Sequence, residues 1–388
     1  MTQPVNKTPK LRIGLLRLTD SAPVIVAQEF GYFADEGIDA ELSIEPSWAN
    51  IADKLTYGFL DAAVIVPPLA FAVTLGLRGH AEPLIVPHVL SLGGNTITLQ
   101  PSLTAKVRAV AAQDNIIMPQ AFASVLRAEK LEGLSLGIVH TYSTHNLMLR
   151  YWLAAGGIDP DRDVHLSVVP PALAVEALRS AKISGFCAGA PWGNIAERAG
   201  VGASIATSKD IWRNAPEKAF AVRERWATEH TGALLGAQRA LIRAAQFCDT
   251  PEDASYTGAL LSRKKYLNVD AHAILSSLPG GSITSEGGSY FFRHATNFPW
   301  RSQAIWLLNQ MKRWTLIGAD VDTVALAAQV YRPDLYRAAA ETLGLSAPLA
   351  DIKSEGTHRD DWQLDGTSGP ITMGADTFCD GATFDVKS

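Results

Sequence analysis

The sequence predicts an α/β protein of two lobes, each built on a small parallel sheet that helices cover. Short apolar segments alternate with segments in which apolar residues recur every three or four positions, and this alternation occurs twice along the chain. The 388 residues, of which 47% are hydrophobic and 19% charged, suffice for two domains with a substantial core. Ligands of open α/β sheets bind at the carboxyl ends of the strands, so we expect a ligand cleft between the lobes.

The first α/β unit covers the predicted first part of lobe 1, residues 1–98. Strand, helix and strand follow one another, which implies parallel strand pairs because the chain must cross the sheet before re-entering it. Its predicted elements are a strand over 11–16, a helix capped by Asp20 or Ser21 with Gly37 past its end, a strand over 41–44, a helix that Ser47 opens and whose apolar face includes Phe59, and strands over 62–66, 84–90 and 96–99.

The second unit falls in the predicted lobe 2, residues 99–224, and begins with helix and loop over 100–130. From residue 225 the chain returns to lobe 1, becomes mostly helical, and ends in a Gly-, Thr- and Asp-rich tail from Asp365 that we expect to lie extended on the surface. The predicted elements are strands over 134–139, 164–169 and 185–188 and helices over 145–155, 172–180, 234–247, 251–261, 302–314 and 321–328.

Composition excludes several function classes. A net charge of −5 gives no basic surface for direct nucleic-acid binding, and no apolar segment is long enough for membrane insertion. Three dispersed cysteines form neither a disulfide framework nor a zinc motif, so we expect reduced thiols. The first apolar run is short and contains Arg12 and Arg17, unlike a secretory leader. If Met1 is the natural start, this predicts a cytoplasmic protein.

The segment around His145 joins a predicted strand to a predicted helix. Ser143 or Thr144 can cap this helix, and the first backbone N–H groups of a helix have no carbonyl partner, so a small anion can bind them. The alternative is that a hydroxyl group caps the helix and that His145 lies on the surface.

Five residues at strand-to-helix corners or crossovers are candidates for lining the cleft. Each offers a hydrogen-bond donor: an indole N–H, a carboxamide, an imidazole, a backbone N–H and an ammonium group. An anion with several acceptor oxygens needs donors from several directions. Taken singly, the tryptophan could be a core residue, the asparagine a turn former and the lysine a surface residue. The candidates are Trp48, Asn95, His145, Gly189 and Lys218.

Several motifs in series resemble the nitrate-binding proteins of ABC transporters, the NrtA/CmpA-like family, over most of the chain. The resemblance implies the periplasmic-binding-protein type II fold, a nitrate site at the five candidate residues, no cofactor and no metal. Asn95 stands where a glutamine is expected, and Ala190 where a glutamate is common. The motifs are Ser47-Trp48-Ala49-Asn50, Thr144-His145-Asn146, Gly189-Ala190-Pro191-Trp192 and Pro216-Glu217-Lys218.

Lys218 bears on which anion is bound. The resemblance implies that bicarbonate-binding relatives carry an acidic side chain near this position and use calcium, whereas a lysine supplies the positive charge that a lone monoanion needs. This favours nitrate or nitrite. Because nitrate requires donors only, we expect a pocket without acceptors, which would reject protonated ligands.

Because the first apolar run does not resemble a secretory leader, we expect a cytoplasmic member of this family. The cytoplasmic members are the nitrate/nitrite sensors of the NasS type. Their partner is a NasT-like RNA-binding antiterminator with an ANTAR domain, which such a sensor would sequester and release when the anion binds. Two alternatives stay open. One is the solute-binding component of an ABC transporter for nitrate or another small anion; the weaker one is an enzyme like the thiamine-pyrimidine synthases, which rely on iron and a cysteine-rich segment that is not seen here.

Overall fold

Two five-stranded sheets and one two-stranded sheet organise the computed structural model, which describes residues 8–131, 133–281 and 288–386. The strands in this part of the chain are β1 (Lys10–Leu15), β2 (Asp39–Ile44), β3 (Ala62–Ile65), β4 (Leu84–Leu92), β5 (Asn95–Leu99), β6 (Leu134–Ile138), β7 (Val164–Val168), β8 (Gly185–Gly189), β9 (Ala203–Thr207), β10 (Pro216–Arg223), β11 (Trp362–Leu364) and β12 (Ile371–Met373).

Each large sheet is mixed, so the prediction of fully parallel sheets was wrong in part. The first sheet has the order β2-β1-β3-β10-β4, and the second has the order β7-β6-β8-β5-β9. The pairs β1–β2, β1–β3, β6–β7 and β6–β8 are parallel, whereas β10 and β5 run antiparallel to their neighbours. The reason is topological: β5 enters the second sheet directly from the first lobe, and β10 enters the first sheet directly from the second.

Sheet membership therefore changes between Leu92 and Asn95 and again between Thr207 and Pro216. The division predicted at residues 98 and 224 lies within β5 and just after β10, a few residues beyond each change. We call these two changes the first and second crossover. Each is followed by a strand that carries a candidate site residue near its start: Asn95 begins β5, and Lys218 lies near the beginning of β10.

Helices cover both sheets. The described helices are α1 (Ala22–Glu29), α2 (Tyr32–Asp35), α3 (Trp48–Thr56), α4 (Pro67–Thr74), α5 (Pro101–Asp114), α6 (Met118–Ala128), α7 (Thr144–Ala155), α8 (Pro171–Arg179), α9 (Trp192–Arg198), α10 (Ser208–Ile211), α11 (Glu224–Glu229), α12 (Thr231–Cys248), α13 (Ala254–Ser262), α14 (Ala271–Leu275), α15 (Arg301–Arg313), α16 (Thr323–Val330) and α17 (Pro333–Thr342).

Caps explain where the two helices next to the candidate site begin. The side chain of Ser47 accepts a hydrogen bond from the N–H of Asn50 at the start of α3, and Ser143 accepts one from Asn146 at the start of α7. Ser21, one of the two predicted caps, is the N-cap residue of α1, but its side chain makes no capping hydrogen bond, and a 3₁₀ turn over Thr19–Ser21 leads into the helix. Glycine at position 31, with φ of +73°, ends that helix early.

The burial of two aromatic residues is the opposite of what the sequence predicts. Helix α3 ends at Thr56, so Phe59 lies beyond it and is 66% exposed instead of packing on the apolar face. Phe378 belongs to the tail expected on the surface, yet it is 5% exposed and packs against Trp212 and Trp306. Backbone bonds from Arg213 N to Thr377 O and from Cys379 N to Ile211 O, both 2.9 Å, join the tail to the second crossover.

No helix in the described ranges combines the length and the apolar character needed to cross a bilayer.

We expect Phe378→Ala to lower the free energy of unfolding by about 3–5 kcal/mol, because it removes a buried ring from an aromatic cluster. Phe59→Ala is the matched control, and its effect should stay within about 0.5 kcal/mol because that ring is solvated. Urea unfolding followed by circular dichroism measures both. Equal effects of the two substitutions would mean that the tail is not part of the core.

Candidate functional site

The five predicted residues come together at the seam between the lobes. Trp48 and Lys218 belong to the first lobe, and Asn95, His145 and Gly189 belong to the second. All five are buried, with the side chains of His145 and Lys218 at 0% exposure. The alternatives of a surface histidine and a surface lysine are therefore wrong. Whether these residues bind a ligand stays a prediction.

Two carboxylates that sequence reasoning missed complete the arrangement. Asp20 Oδ2 lies 2.7 Å from the ammonium nitrogen of Lys218, and Glu217 Oε1 lies 2.5 Å from the same nitrogen. Both acids are buried. We call the seven residues together the cleft cluster: Asp20, Trp48, Asn95, His145, Gly189, Glu217 and Lys218.

Glu217 connects the two lobes. Its Oε2 accepts a hydrogen bond from Asn95 Nδ2, and its Oε1 lies 3.3 Å from His145 Nε2 without the geometry of a hydrogen bond. Asn95 and His145 belong to the second lobe, whereas Glu217 and Lys218 belong to the first. A bond from Thr19 N to Ala190 O at 2.9 Å adds to the seam. The lobes are thus in contact around the cleft cluster.

A β-bulge explains why Glu217 escaped prediction. Successive side chains of a regular strand point to opposite faces, so only one of Glu217 and Lys218 is expected to face the cleft. In β10 the register with β4 shifts between Pro216 and Lys218 and again between Lys218 and Ala219. Such a bulge reorients side chains, and here both neighbours reach the same site.

Asp20 escaped prediction because its sequence context fits a helix cap. Its carboxylate instead points from the 3₁₀ turn after β1 towards Lys218. The expectation of a pocket without acceptors was therefore wrong, since two carboxylates lie within it. A buried ammonium group needs such partners, so the buried lysine itself was the signal that acids would be near.

Gly189 marks the point on which the cluster converges. A methyl group built at its Cα would lie 3.3 Å from His145 Nε2, 3.4 Å from Asp20 Oδ2 and 3.5 Å from Asn95 Oδ1. Three polar side chains from three elements thus surround one position beside a residue that has no side chain. This lets a small group approach the backbone closely.

Several buried polar atoms of the cluster have no hydrogen-bond partner within the described chain. Buried polar groups are nearly always paired, so a cluster of unpaired ones indicates a place for a polar ligand. Both donors and acceptors are among them, and His145 can donate from one ring nitrogen when neutral. The unpaired atoms are Asp20 Oδ1, Trp48 Nε1, Asn95 Oδ1 and the two ring nitrogens of His145.

Burial sets the protonation of the cluster. It lowers the pKa of His145 well below its usual value, and the charge of Lys218 lowers it further, so the imidazole is neutral. Burial also raises the pKa of Asp20 and of Glu217, although Lys218 opposes both shifts. For Lys218, burial lowers the pKa, but the two carboxylates outweigh this and raise it, so the lysine is charged.

The same residues offer little to a metal ion. Within the described ranges, no group of three or more His, Cys, Asp or Glu side chains is arranged to hold one. The cation that the two carboxylates face is the ammonium group of Lys218, which occupies the position between them.

An apolar depression of about 420 Å³ lies at the surface where the lobes meet. Residues of both lobes form its walls. Two of them are close in sequence to the cleft cluster: Ser47 precedes Trp48, and Trp192 lies three residues after Gly189. We call it the vestibule. The wall residues are Leu16, Arg17, Glu45, Pro46, Ser47, Pro170, Pro171, Ala172, Leu173 and Trp192.

Comparison with known sequences identifies one matching family and several related proteins. The profile of the NMT1-like family matches residues 5–262. The nitrate/nitrite binding protein NrtA of Nostoc sp. is 30% identical over 400 residues, covering 99% of this chain and 84% of that protein. The bicarbonate transport ATP-binding protein CmpC and the nitrate import ATP-binding protein NrtC of Synechocystis sp. are 35% and 34% identical, each match covering 86% of this chain. The chain spans about half the length of these last two, since 50% of each is covered.

Solved structures confirm the fold class. The periplasmic nitrate-binding protein NrtA from Synechocystis PCC 6803 superposes with a TM-score of 0.83 at 28% identity, over 98% of this chain and 96% of that one. The alkanesulfonate-binding protein SsuA from Xanthomonas axonopodis pv. citri, with 13% identity and a TM-score of 0.60 over 85% of this chain and 99% of that one, shares the fold alone. The predicted pair of α/β lobes with a periplasmic-binding-protein fold is thus correct. The chain belongs to the NMT1-like family and shares the family of the NrtA proteins.

Proposed function

We propose that this protein is the substrate-binding component of an import system for nitrate or nitrite, and that the anion binds in the cleft cluster. The proposal rests on buried polar atoms without protein partners in both lobes. Trp48 Nε1 and the ring nitrogens of His145 are among them, and His145 Nε2 lies beside the open position at Gly189. A planar anion with three acceptor oxygens suits donors that approach from several sides. It would then hold the two lobes together.

Each proposed contact has a physical basis. Trp48 Nε1 and a ring nitrogen of His145 are buried without partners and can donate to the anion. The start of α7 presents backbone N–H groups beside His145, and a helix N-terminus favours negative charge. Lys218 has three N–H groups, of which one contacts Asp20 and one contacts Glu217, and the third is proposed to contact the anion.

The charge of the cluster favours a monoanion over a dianion. The two carboxylates already balance or exceed the charge of Lys218. A dianion such as sulfate would add two negative charges to this buried site, and uncompensated buried charge is costly. The relatives named for nitrate and for bicarbonate leave the choice between small monoanions to experiment.

Import and sensing would use the same site and differ in what recognises the closed lobes. Two of the relatives described above, CmpC and NrtC, are transport or import proteins by name, which favours import. The sensor predicted from the sequence, with an ANTAR-domain regulator as its partner, is the second candidate, and its cytoplasmic location is part of that prediction. An enzymatic function is not proposed, because the relatives described above are binding, transport or import proteins by name.

We expect nitrate and nitrite to bind the purified protein, and sulfate to bind at least about tenfold more weakly, a difference of about 1.4 kcal/mol, because a dianion adds two charges to the buried site. Bicarbonate, with and without calcium, is the competing monoanion to be titrated beside them. Isothermal titration calorimetry with each sodium salt measures this. Tight bicarbonate binding together with no response to nitrate or nitrite would overturn the ligand assignment.

Gly189→Ala should weaken nitrate binding by at least about tenfold, because the new methyl group would occupy the position on which the cluster converges. The matched control is Gly232→Ala, where the added methyl group meets nothing within 4 Å. Calorimetry gives the affinities, and circular dichroism verifies that both variants are folded. Wild-type affinity in a folded Gly189→Ala variant would place the anion elsewhere.

Size-exclusion chromatography separates import from sensing. For an import component we expect no complex with an ANTAR-domain regulator from the same organism, either with or without nitrate. A complex that forms without ligand and dissociates in nitrate would reject import and establish the sensor, since anion and regulator would then prefer different states of one protein.

A further inference from the structure

The buried charge of the cleft cluster does not by itself accommodate a monoanion. With both acids ionised, Asp20, Glu217 and Lys218 together carry one negative charge in a site that is fully buried. A bound nitrate would bring this to two. An uncompensated charge is strongly disfavoured in a buried site, so the added charge must be offset within the cluster.

Nitrate also fails to match the unpaired hydrogen-bonding groups of the cleft cluster. Two of the unpaired buried atoms are acceptors, Asp20 Oδ1 and Asn95 Oδ1. Nitrate offers oxygen acceptors and no hydrogen, so it cannot pair with either of them. An ionised carboxylate accepts only, but a protonated one donates, which would turn Asp20 Oδ1 from an unpaired acceptor into a donor for the anion.

We propose that the cleft takes up one proton with each monoanion, and that Asp20 holds this proton on Oδ1. The inference rests on the proposed anion site and adds its proton dependence. The proton comes from the buffer acid in the surrounding solution: the bond that held it there breaks as the O–H of Asp20 forms, and the conjugate base stays in solution. The buried net charge then stays at minus one on binding, because the proton on Asp20 offsets the charge of the anion.

The groups around Asp20 support this choice. The titratable side chains of the cluster are Glu217 and Lys218 on β10 and His145 on α7, and Cys187 on β8 interacts with Glu217. Burial lowers the pKa of His145 and raises that of Cys187, so neither changes charge near neutral pH. Glu217 contacts Lys218 and Asn95, whereas Asp20 contacts Lys218 alone in this cluster. Protonation therefore disturbs fewer contacts at Asp20 than at Glu217.

Proton uptake fixes the direction of the pH dependence. Below the pKa of Asp20 in the free protein the proton is already bound, and nitrate affinity is independent of pH. Above that pKa each binding event must draw a proton from the solution, so affinity falls by about tenfold per pH unit. Burial raises the pKa of Asp20, which shifts the start of this decline upward from the usual carboxyl range.

Calorimetry in two buffers measures the proton directly. Nitrate is titrated into the protein at pH 7.5 in Tris and in Bis-Tris, two amine buffers with different ionisation enthalpies, at the same chloride concentration. The difference in binding heat gives the number of protons exchanged. We expect about one proton taken up by the wild type and about none by Asp20→Asn, whose amide already donates. The control Asp61→Asn removes a buried carboxylate that pairs with Arg12 outside the cluster and should retain the uptake.

The outcomes are distinct. Asp20→Asn should bind nitrate more tightly than the wild type at pH 8.5, because only the wild type must take up a proton for each anion bound. Nitrate binding by the wild type without proton uptake overturns this inference and leaves the anion site standing. If neither nitrate nor nitrite binds between pH 5.5 and 8.5, the proposed function fails and the inference fails with it. Loss of uptake in Asp61→Asn would also contradict it.

Discussion

The buried ammonium group of Lys218, held between Asp20 and Glu217, is the interaction on which the rest of the cleft depends. Removing three charges from water is costly, and only their mutual pairing offsets the cost. The pairing also fixes the lobes, because Glu217 binds Asn95 across the seam. The charge cluster and the contact between the lobes are therefore one structural feature. Anything that enters the cleft must be compatible with both.

The topology of the sheets places this cluster. The chain crosses between lobes as β4 leads to β5 and as β9 leads through α10 to β10, and each crossover delivers polar residues to the seam. The carboxyl-terminal tail supports the second crossover, since Asn214 Nδ2 donates to Ala375 O at 2.8 Å. The tail also reaches α7, where the hydroxyl of Tyr151 donates to Asp380 at 2.9 Å. Helix α7 carries His145 in its first turn, so packing far from the cleft positions a residue within it.

A second buried charge cluster, around Lys353, shows pairing of the same kind. Lys353 pairs with Asp376 at 2.9 Å and with Glu355, and Ser302 donates to Glu355 at 2.6 Å. Burial raises the pKa of Glu355 to about 8, although Lys353 opposes the shift. The acids of this cluster are bonded by protein donors: Trp212 Nε1 donates to Asp376, and Ser302 donates to Glu355. The cleft cluster differs because polar atoms of its members remain unpaired.

Periodicity and turn chemistry predicted most of the strands and helices, because the hydrophobic pattern follows the period of each element. Local sequence also placed all five candidate residues at corners that meet in the cleft. It did not predict the antiparallel strands β5 and β10, since strand direction depends on where the chain enters the sheet. Nor did it predict Glu217, whose orientation depends on a bulge, or Asp20, whose local pattern matched a helix cap. The burial of Phe378 likewise depends on aromatic residues distant in sequence.

The central claim is that a small monoanion binds the unpaired donors of the cleft cluster. The indole N–H of Trp48 reports on this directly, because its nitrogen is buried and lacks a protein partner among the described residues. In a ¹⁵N–¹H spectrum assigned with Trp48→Phe, nitrate should shift the Trp48 indole signal downfield in a saturable way. The indole of Trp362, which also lacks a described partner but stacks on His358 in the carboxyl-terminal part of the chain, should not move with it. A Trp48 signal that stays unchanged at saturating nitrate would contradict the claim.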